Sequence, residues 1–335
     1  VAELQAYLLD VTNPEFAEQS ARCQMAIRAL KESSPQDVPA IEAFVLDQFS
    51  SPRIGLILSE VLPELSSVYK ALSQLQTQDL AERRLAANHL RMQAELQSLS
   101  PLVVRQLREL LKEESDSLVW RMVMFAVMPD FNPETVQLVI WAANHPDGGI
   151  RFLSCEFASR HKSPEFADWL LPLLHDSETS VQLAAIQAVG ECRNRIVIDG
   201  IPSKSPSQSL PGLRQLLADD DLRVSVASSI AMSRLGDPQG HDELIRLTHH
   251  PDPRIREQVI LAMGQTGQSR FVNSLISLGW TAKDVRTQNA VLQSLNSLVP
   301  AANQPIQLAE AKGTEDKIRV WAGWWDQTRN VGEIR

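Results

Sequence analysis

The residues of this chain best equipped for chemistry are seven histidines, three cysteines and an arginine that recurs in similar surroundings. His249-His250 beside Asp252 has the composition of a metal site. Zinc, however, takes three or four converging ligands, and no second Cys/His pair stands at a useful spacing. His145 also holds the same place before Pro146-Asp147 as His250 before Pro251-Asp252, so a role in the turn accounts for both. His175-Asp176 is a neighbouring pair in another such turn. A nucleophile–base–orienter relay needs three groups meeting in space, which one dipeptide does not supply. Cys23, Cys155 and Cys192 are far apart, form no CxxC pair, and fall on apolar positions of expected helices. They are expected to be buried free thiols, because cysteine packs like a small hydrophobe, and their odd number points to a reducing compartment. No GxGxxG or Walker-type phosphate loop occurs. Gly148-Gly149 is expected to ease a tight turn between helices. No catalytic constellation, cofactor or metal site is expected.

The arginines are the main candidates for a working surface. Arg121, Arg151, Arg223, Arg256 and Arg286 each stand near a β-branched residue and a turn aspartate. Stacked in a row they would suit an acidic peptide or a phosphate backbone. The structural alternative is that each pairs with the turn aspartate of an adjacent repeat, with Asp147, Asp176, Asp221, Asp252 and Asp284 as partners.

The elements that must position these residues repeat. Five stretches align: His145-Pro146-Asp147-x-x-Ile150-Arg151, Asp176 with Val181, Asp221-x-Arg223-Val224, His249-His250-Pro251-Asp252-x-x-Ile255-Arg256 and Asp284-Val285-Arg286. Measured between β-branched residues, the steps are 31 (150 to 181), 43 (181 to 224), 31 (224 to 255) and 30 (255 to 285). A further step of 31 back from Ile150 reaches Val119, in Leu118-Val119-Trp120-Arg121. A period of this size marks a solenoid of helix pairs. Helix starts are flagged by a capping side chain before proline at Asn13-Pro14, Ser100-Pro101, Asn132-Pro133, Ser163-Pro164, Asp237-Pro238 and Asp252-Pro253. The cap oxygen accepts an orphan N–H, and proline at the first helical position gives up nothing.

These features resemble HEAT repeats, in which the first helix ends in a Leu-Leu pair, an aspartate sits in the turn, and the second helix opens Val-Arg before alanines and leucines. Leu173-Leu174 with Asp176, Val181, Ala184, Ala185, Ala188 and Gly190 is one copy. Leu216-Leu217 with Asp221, Arg223, Val224, Ala227, Ile230 and Gly236 is a second, and Leu244-Ile245 with Leu247, Asp252, Ile255, Arg256, Ala262 and Gly264 a third. The resemblance implies an all-α fold, a right-handed α-α superhelix of about eight or nine helix pairs. It would occupy residues 1–313, regular over 101–298 and less so over 1–97, where Asp79-Leu80 with Leu85, Ala86 and Leu90 gives the clearest opening. Pairs are expected at 1–9 with 14–31, 38–49 with 53–62, 64–76 with 79–97, 101–112 with 117–128, 133–144 with 147–160, 164–174 with 177–192, 209–218 with 221–235, 238–248 with 252–265 and 268–279 with 283–298.

Two segments interrupt this pattern. An insertion over 193–209 lengthens one step; its first half carries Ile196, Val197, Ile198 and Ile201 and its second half is a Ser/Pro loop. The apolar half either tucks against a neighbouring repeat or offers Ile196 and Ile198 to a partner. Residues 314–335 hold Trp321, Trp324 and Trp325; Ile318, Trp321 and Trp325 share a helical face, so a helix capping the last repeat is expected. Trp324, off that face, joins the candidate contact residues.

A solenoid of this kind implies a non-catalytic scaffold for a protein partner. Some HEAT-like proteins are instead glycosylases of alkylated DNA bases, and related repeats are bilin lyases. A glycosylase would need a basic, aromatic groove with a carboxylate. Here Trp120, Trp141 and Trp169 are expected at core positions, with Trp280 scattered beyond them, and the net charge of −9 argues against a nucleic-acid face. No run of 18 apolar residues is present to span a membrane. Val1 lies inside a helical pattern with no initiator Met, which fits removal of an upstream segment.

Overall fold

The structure, a computed structural model, describes residues 2–49, 51–129, 131–201 and 210–331. It is all-α apart from one two-residue antiparallel ladder, and it divides into two compact units, Val1–Ser154 and Cys155–Arg335. The second half of the 193–209 insertion lies outside the described residues.

In the first unit the helices are α1 (Ala2–Thr12), α2 (Ala21–Lys31), α3 (Val38–Asp47), α4 (Ile54–Leu56), α5 (Leu62–Leu65), α6 (Ser67–Gln74), α7 (Leu80–Leu96), α8 (Pro101–Leu110), α9 (Ser117–Val127) and α10 (Pro133–Ala142), with α11 (Gly148–His161) opening near its end. The expected start at Asn13-Pro14 is not a helix start. Asn13 folds back to accept the Glu15 N–H, and Arg53 donates to the Asn13 and Pro14 carbonyls that a first turn would have used. The helix begins at Ala21, where Ser20 accepts the Cys23 N–H. The expected 53–62 helix is split by a π-helical turn, Ile57–Val61. Pro63 follows it and has no N–H to close a regular turn onto Ser59.

The second unit holds α12 (Ala167–Leu170), α13 (Thr179–Glu191), α14 (Ile196–Asp199), α15 (Leu222–Arg234), α16 (Pro238–Leu247), α17 (Pro253–Gln265), α18 (Phe271–Thr281), α19 (Val285–Leu298) and α20 (Gly313–Val331). Two expected first helices are tightened. Residues 164–174 run as 3-10 turns at Pro164–Phe166 and Pro172–His175 around α12, and Leu213–Ala218 is wholly 3-10. Pro172 cannot donate to the Asp168 carbonyl, which removes an α-type bond midway.

Second helices stack on one another, α7 on α9, α13 on α15 and α17 on α19. The turn aspartates cap them: Asp79, Asp116, Asp221, Asp252 and Asp284 each accept a backbone N–H from the first turn of the helix they precede. Nine residues after the markers Val181, Val224, Ile255 and Val285 stands a small residue, Gly190, Ser233, Gly264 and Ser294. The reason is contact distance. A Cβ on Gly264 would sit 2.7 Å from the Ser294 Cα, and one on Gly190 would lie 3.0 Å from the Ala231 Cα. Ser294 returns the contact by donating from Oγ to the Ile260 carbonyl at 2.7 Å.

The three cysteines are buried and unbridged. The Trp-rich segment packs as α20 on α18 and α19, with Ile318 and Trp321 fully buried and Trp324 and Trp325 half-buried against the same cluster. Among the described residues no helix is long and apolar enough to cross a membrane.

Candidate partner-binding surface

The five arginines do not form one equivalent row. Their offset from the capping aspartate decides where each guanidinium goes. Arg121 stands five residues after Asp116, far enough along α9 to reach the next turn, and its Nη2 donates to Asp147 Oδ1 at 2.9 Å. Burial raises the Asp147 carboxyl, but the hydrogen bond and charge of Arg121, with bonds from Ser117 and the Ile150 N–H, outweigh it and leave the carboxyl below its ordinary value. Arg84, absent from the expected series, has the same offset from Asp79. It grips Asp116 with two bonds, Nε to Oδ1 at 3.2 Å and Nη2 to Oδ2 at 2.7 Å.

Arg151 and Arg256 stand only four residues after Asp147 and Asp252. Each curls back over its own turn, Arg151 to the His145 and Pro146 carbonyls and Arg256 to those of His250 and Pro251. Arg223 and Arg286 stand two residues after their caps. Arg223 clasps its own Asp221, with Nη2 to Oδ2 at 2.7 Å, and Arg286 reaches back to Glu257, with Nε to Oε2 at 2.6 Å. Pairing with an adjacent repeat's turn aspartate thus holds for Arg121 and not for Arg223 or Arg286. The Arg223 and Arg286 side chains are solvent-exposed and Arg121 is partly so, with its Nε buried, but each has its charge answered within the chain.

The histidines of the repeated turn act as acceptors. His145 Nδ1 takes the Asp147 N–H at 3.0 Å and His250 Nδ1 takes the Asp252 N–H at 3.1 Å. Among the described residues no three His, Cys, Asp or Glu side chains gather as a metal site. Gly149 has a different job from easing the turn: a Cβ there would lie 2.3 Å from Arg121 Nη2, so the glycine leaves room for the guanidinium on its way to Asp147.

The two candidate isoleucines part company. In α14, Ile196 is 44% exposed while Ile198 is 2% exposed, and Val197 is buried beside it. Ile198 is therefore corrected from a contact residue to an interior one, since a buried side chain has no face to offer. Gly200 and Ile201 pair with Leu210 and Pro211, which draws the two ends of the insertion together. A Cβ on Gly212 would meet the Gly200 nitrogen at 2.4 Å. Trp324 lies edge-on to Trp321 with ring centroids 5.1 Å apart and is half-buried. Of the tryptophans expected in the core, Trp120 is buried, but Trp141 lies at the surface, its ring edge-on to Trp120 at 5.3 Å.

The surface that the expected series misses lies on α7 and α9. Leu85, part of the Asp79-Leu80 opening, is 72% exposed, and Met92 and Leu96 on the same helical face are 51% and 82% exposed. Beside this row, α9 exposes Leu118 and Phe125, at i and i+7. The core side of α7 is served by Ala86, Ala87, Leu90 and Ala94. The available signal was that α7 carries two apolar stripes, one more than a surface helix needs.

Comparison with known proteins fits this architecture. A family model described as HEAT repeats matches residues 210–296. No curated protein matches the chain. Among solved structures, the complex of CpcE and CpcF of phycocyanin lyase from Nostoc sp. PCC7120 is 20% identical, covering 79% of this chain and 94% of that one, with a TM-score of 0.43. Human deoxyhypusine hydroxylase is 15% identical over 81% of this chain and 99% of that one, TM-score 0.33. An engineered protein is 16% identical over 95% of this chain and 82% of that one, TM-score 0.40.

Proposed function

We propose that this chain, whose residues 210–296 are HEAT repeats, is a non-catalytic module that binds a protein partner along its second helices. The observation that carries the reading is the pair of exposed apolar rows, Leu85, Met92 and Leu96 on α7 with Leu118 and Phe125 on α9. Apolar side chains on neighbouring helices and facing water are a cost to a free monomer, and such patches mark interaction sites. Arg84 and Arg121, on the same two helices, are partly exposed and paired with Asp116 and Asp147. They set register and exclude wrong partners more than they add affinity. Arg151 in the first unit, and Arg223, Arg256, Arg286, Ile196 and Trp324 in the second, extend the proposal as secondary contacts, each within its own unit.

The test compares wild type with a Leu85→Glu, Met92→Glu, Leu96→Glu variant as bait in extract from the native host, read by quantitative mass spectrometry. The three positions face water, so the variant should keep its circular dichroism and melting curve and lose the proteins enriched by wild type. Identical captured sets from both baits would overturn the reading.

A further inference from the structure

The first unit holds a cleft of about 320 Å³ that the partner surface does not use. Its walls come from α4 and the π-helical turn on one side, α6 on another and α8 on a third, with Phe49 at the edge. Three features of it need explaining. First, Arg105 places its guanidinium carbon over the Phe49 ring, 3.5 Å from the centroid, and among the described residues makes no ion pair or hydrogen bond. No carboxylate among them answers this guanidinium, so its charge is available to a ligand entering the cleft. Second, the side-chain nitrogen of the neighbouring Gln106 is buried and has no acceptor. Burying a donor without a partner costs free energy. Third, the wall is built on a π-helical turn, Ile57–Val61, preceded by Gly55, whose missing side chain faces open space. π-turns are uncommon and gather at functional sites.

The remaining groups define what would fit. Leu58, Leu72 and Leu110, with the rings of Phe49 and Tyr69, give a largely apolar lining. The polar groups are mostly occupied. Tyr69 donates its hydroxyl to Glu42 at 2.6 Å, and Glu109 is paired with Lys112 and Arg108. That leaves the Arg105 guanidinium and the side-chain amides of Gln76 and Gln106, and no free anion to answer the guanidinium. A guanidinium edge presents paired N–H donors that match one flat carboxylate. A phosphate would bring a second negative charge, and the lining holds no second cation to answer it. The volume lies at the lower end of the range for small-molecule sites.

We propose that this cleft binds a small aromatic carboxylic acid, its ring among Tyr69, Leu58, Leu72 and Leu110 and its carboxylate on Arg105 and Gln106. Cinnamate is a suitable probe, with cinnamamide as its neutral match in shape. Calorimetric titration of the full chain should show saturable cinnamate binding, weaker by roughly tenfold or more for the amide, the worth of one charge-assisted pair. Arg105→Met should abolish the preference for acid over amide. Gly55→Leu, which fills open space at a position without left-handed strain, should block both ligands while leaving the melting temperature unchanged. The wild-type acid-to-amide ratio reports on the site even if a variant fails to fold. No saturable binding of cinnamate, equal binding of acid and amide, or unchanged binding to a folded Gly55→Leu chain would each overturn the proposal.

Discussion

Truncating Trp321 to alanine should weaken the end of the second unit, and the size of the loss can be worked out from its surroundings. Trp321 is fully buried in a cluster with Ile318, Leu275, Val291 and Leu295, and α20 approaches α18 so closely that a Cβ on Gly279 would meet Ile318 Cδ1 at 3.2 Å. Truncating a buried tryptophan to alanine typically costs about 3–5 kcal/mol. One term opposes this. The Trp321 indole nitrogen is buried without an acceptor, and removing an unsatisfied donor returns about 1 kcal/mol. The expected net loss is roughly 2–4 kcal/mol. Trp321→Phe keeps most of the apolar contact and also removes the unpaired N–H, so it should stay within about 1 kcal/mol of wild type. Repeat stability is close to a sum of neighbour terms, so the damage should be local. Hydrogen exchange should show lost protection in α18, α19 and α20 for Trp321→Ala, with α7 and α9 unchanged. Urea unfolding gives the magnitude. If Trp321→Ala and Trp321→Phe unfold at the same denaturant concentration as wild type, α20 is not a cap.

Two further outcomes follow from the packing. Gly264→Ala drives a methyl into the Ser294 backbone at 2.7 Å, so it should destabilise by about 1–3 kcal/mol despite the better helix propensity of alanine; a raised melting temperature would contradict the contact. His241 stacks on Phe271 with centroids 4.2 Å apart, and burial, aided by Arg270, pushes its pKa below the ordinary 6.5. A folded pKa below the unfolded one means the unfolded chain takes up protons first. Stability should therefore fall as pH drops below 6.5 and level off once the folded imidazole also titrates. His241→Phe should flatten part of that slope in melting curves taken across the window, and an unchanged slope would assign it to other groups.

Much of the fold is readable from residue types because the repeat writes the same local instructions several times. Asp116, Asp252 and Asp284 cap their helices through one accepted N–H or two, a signal confined to three or four residues. Trp321 and Ile318 share a face by helical arithmetic alone. What fails depends on distant atoms. Asn13-Pro14 carries every mark of a helix start, yet Arg53, forty residues away, takes its carbonyls. Leu85 and Leu90 stand alike in the opening of α7, and only the packing of α7 shows that Leu90 and the alanines go inward while Leu85 faces water. Aligned on the β-branched residue, the arginines all fall within two positions of it and look alike. Aligned on the capping aspartate they separate into reaches of five, four and two residues, and that offset, present in the sequence throughout, sets each partner.

The claim that a protein partner lies across α7 and α9 is tested most directly by site-specific photocrosslinking in the native host. A benzophenone amino acid would replace Met92 or Phe125, with Gln137, exposed on α10, as the control position. The account predicts one discrete adduct of the same mass increment from Met92 and Phe125 and none from Gln137. Absence of any adduct at Met92 and Phe125, or an adduct confined to Gln137, would contradict it.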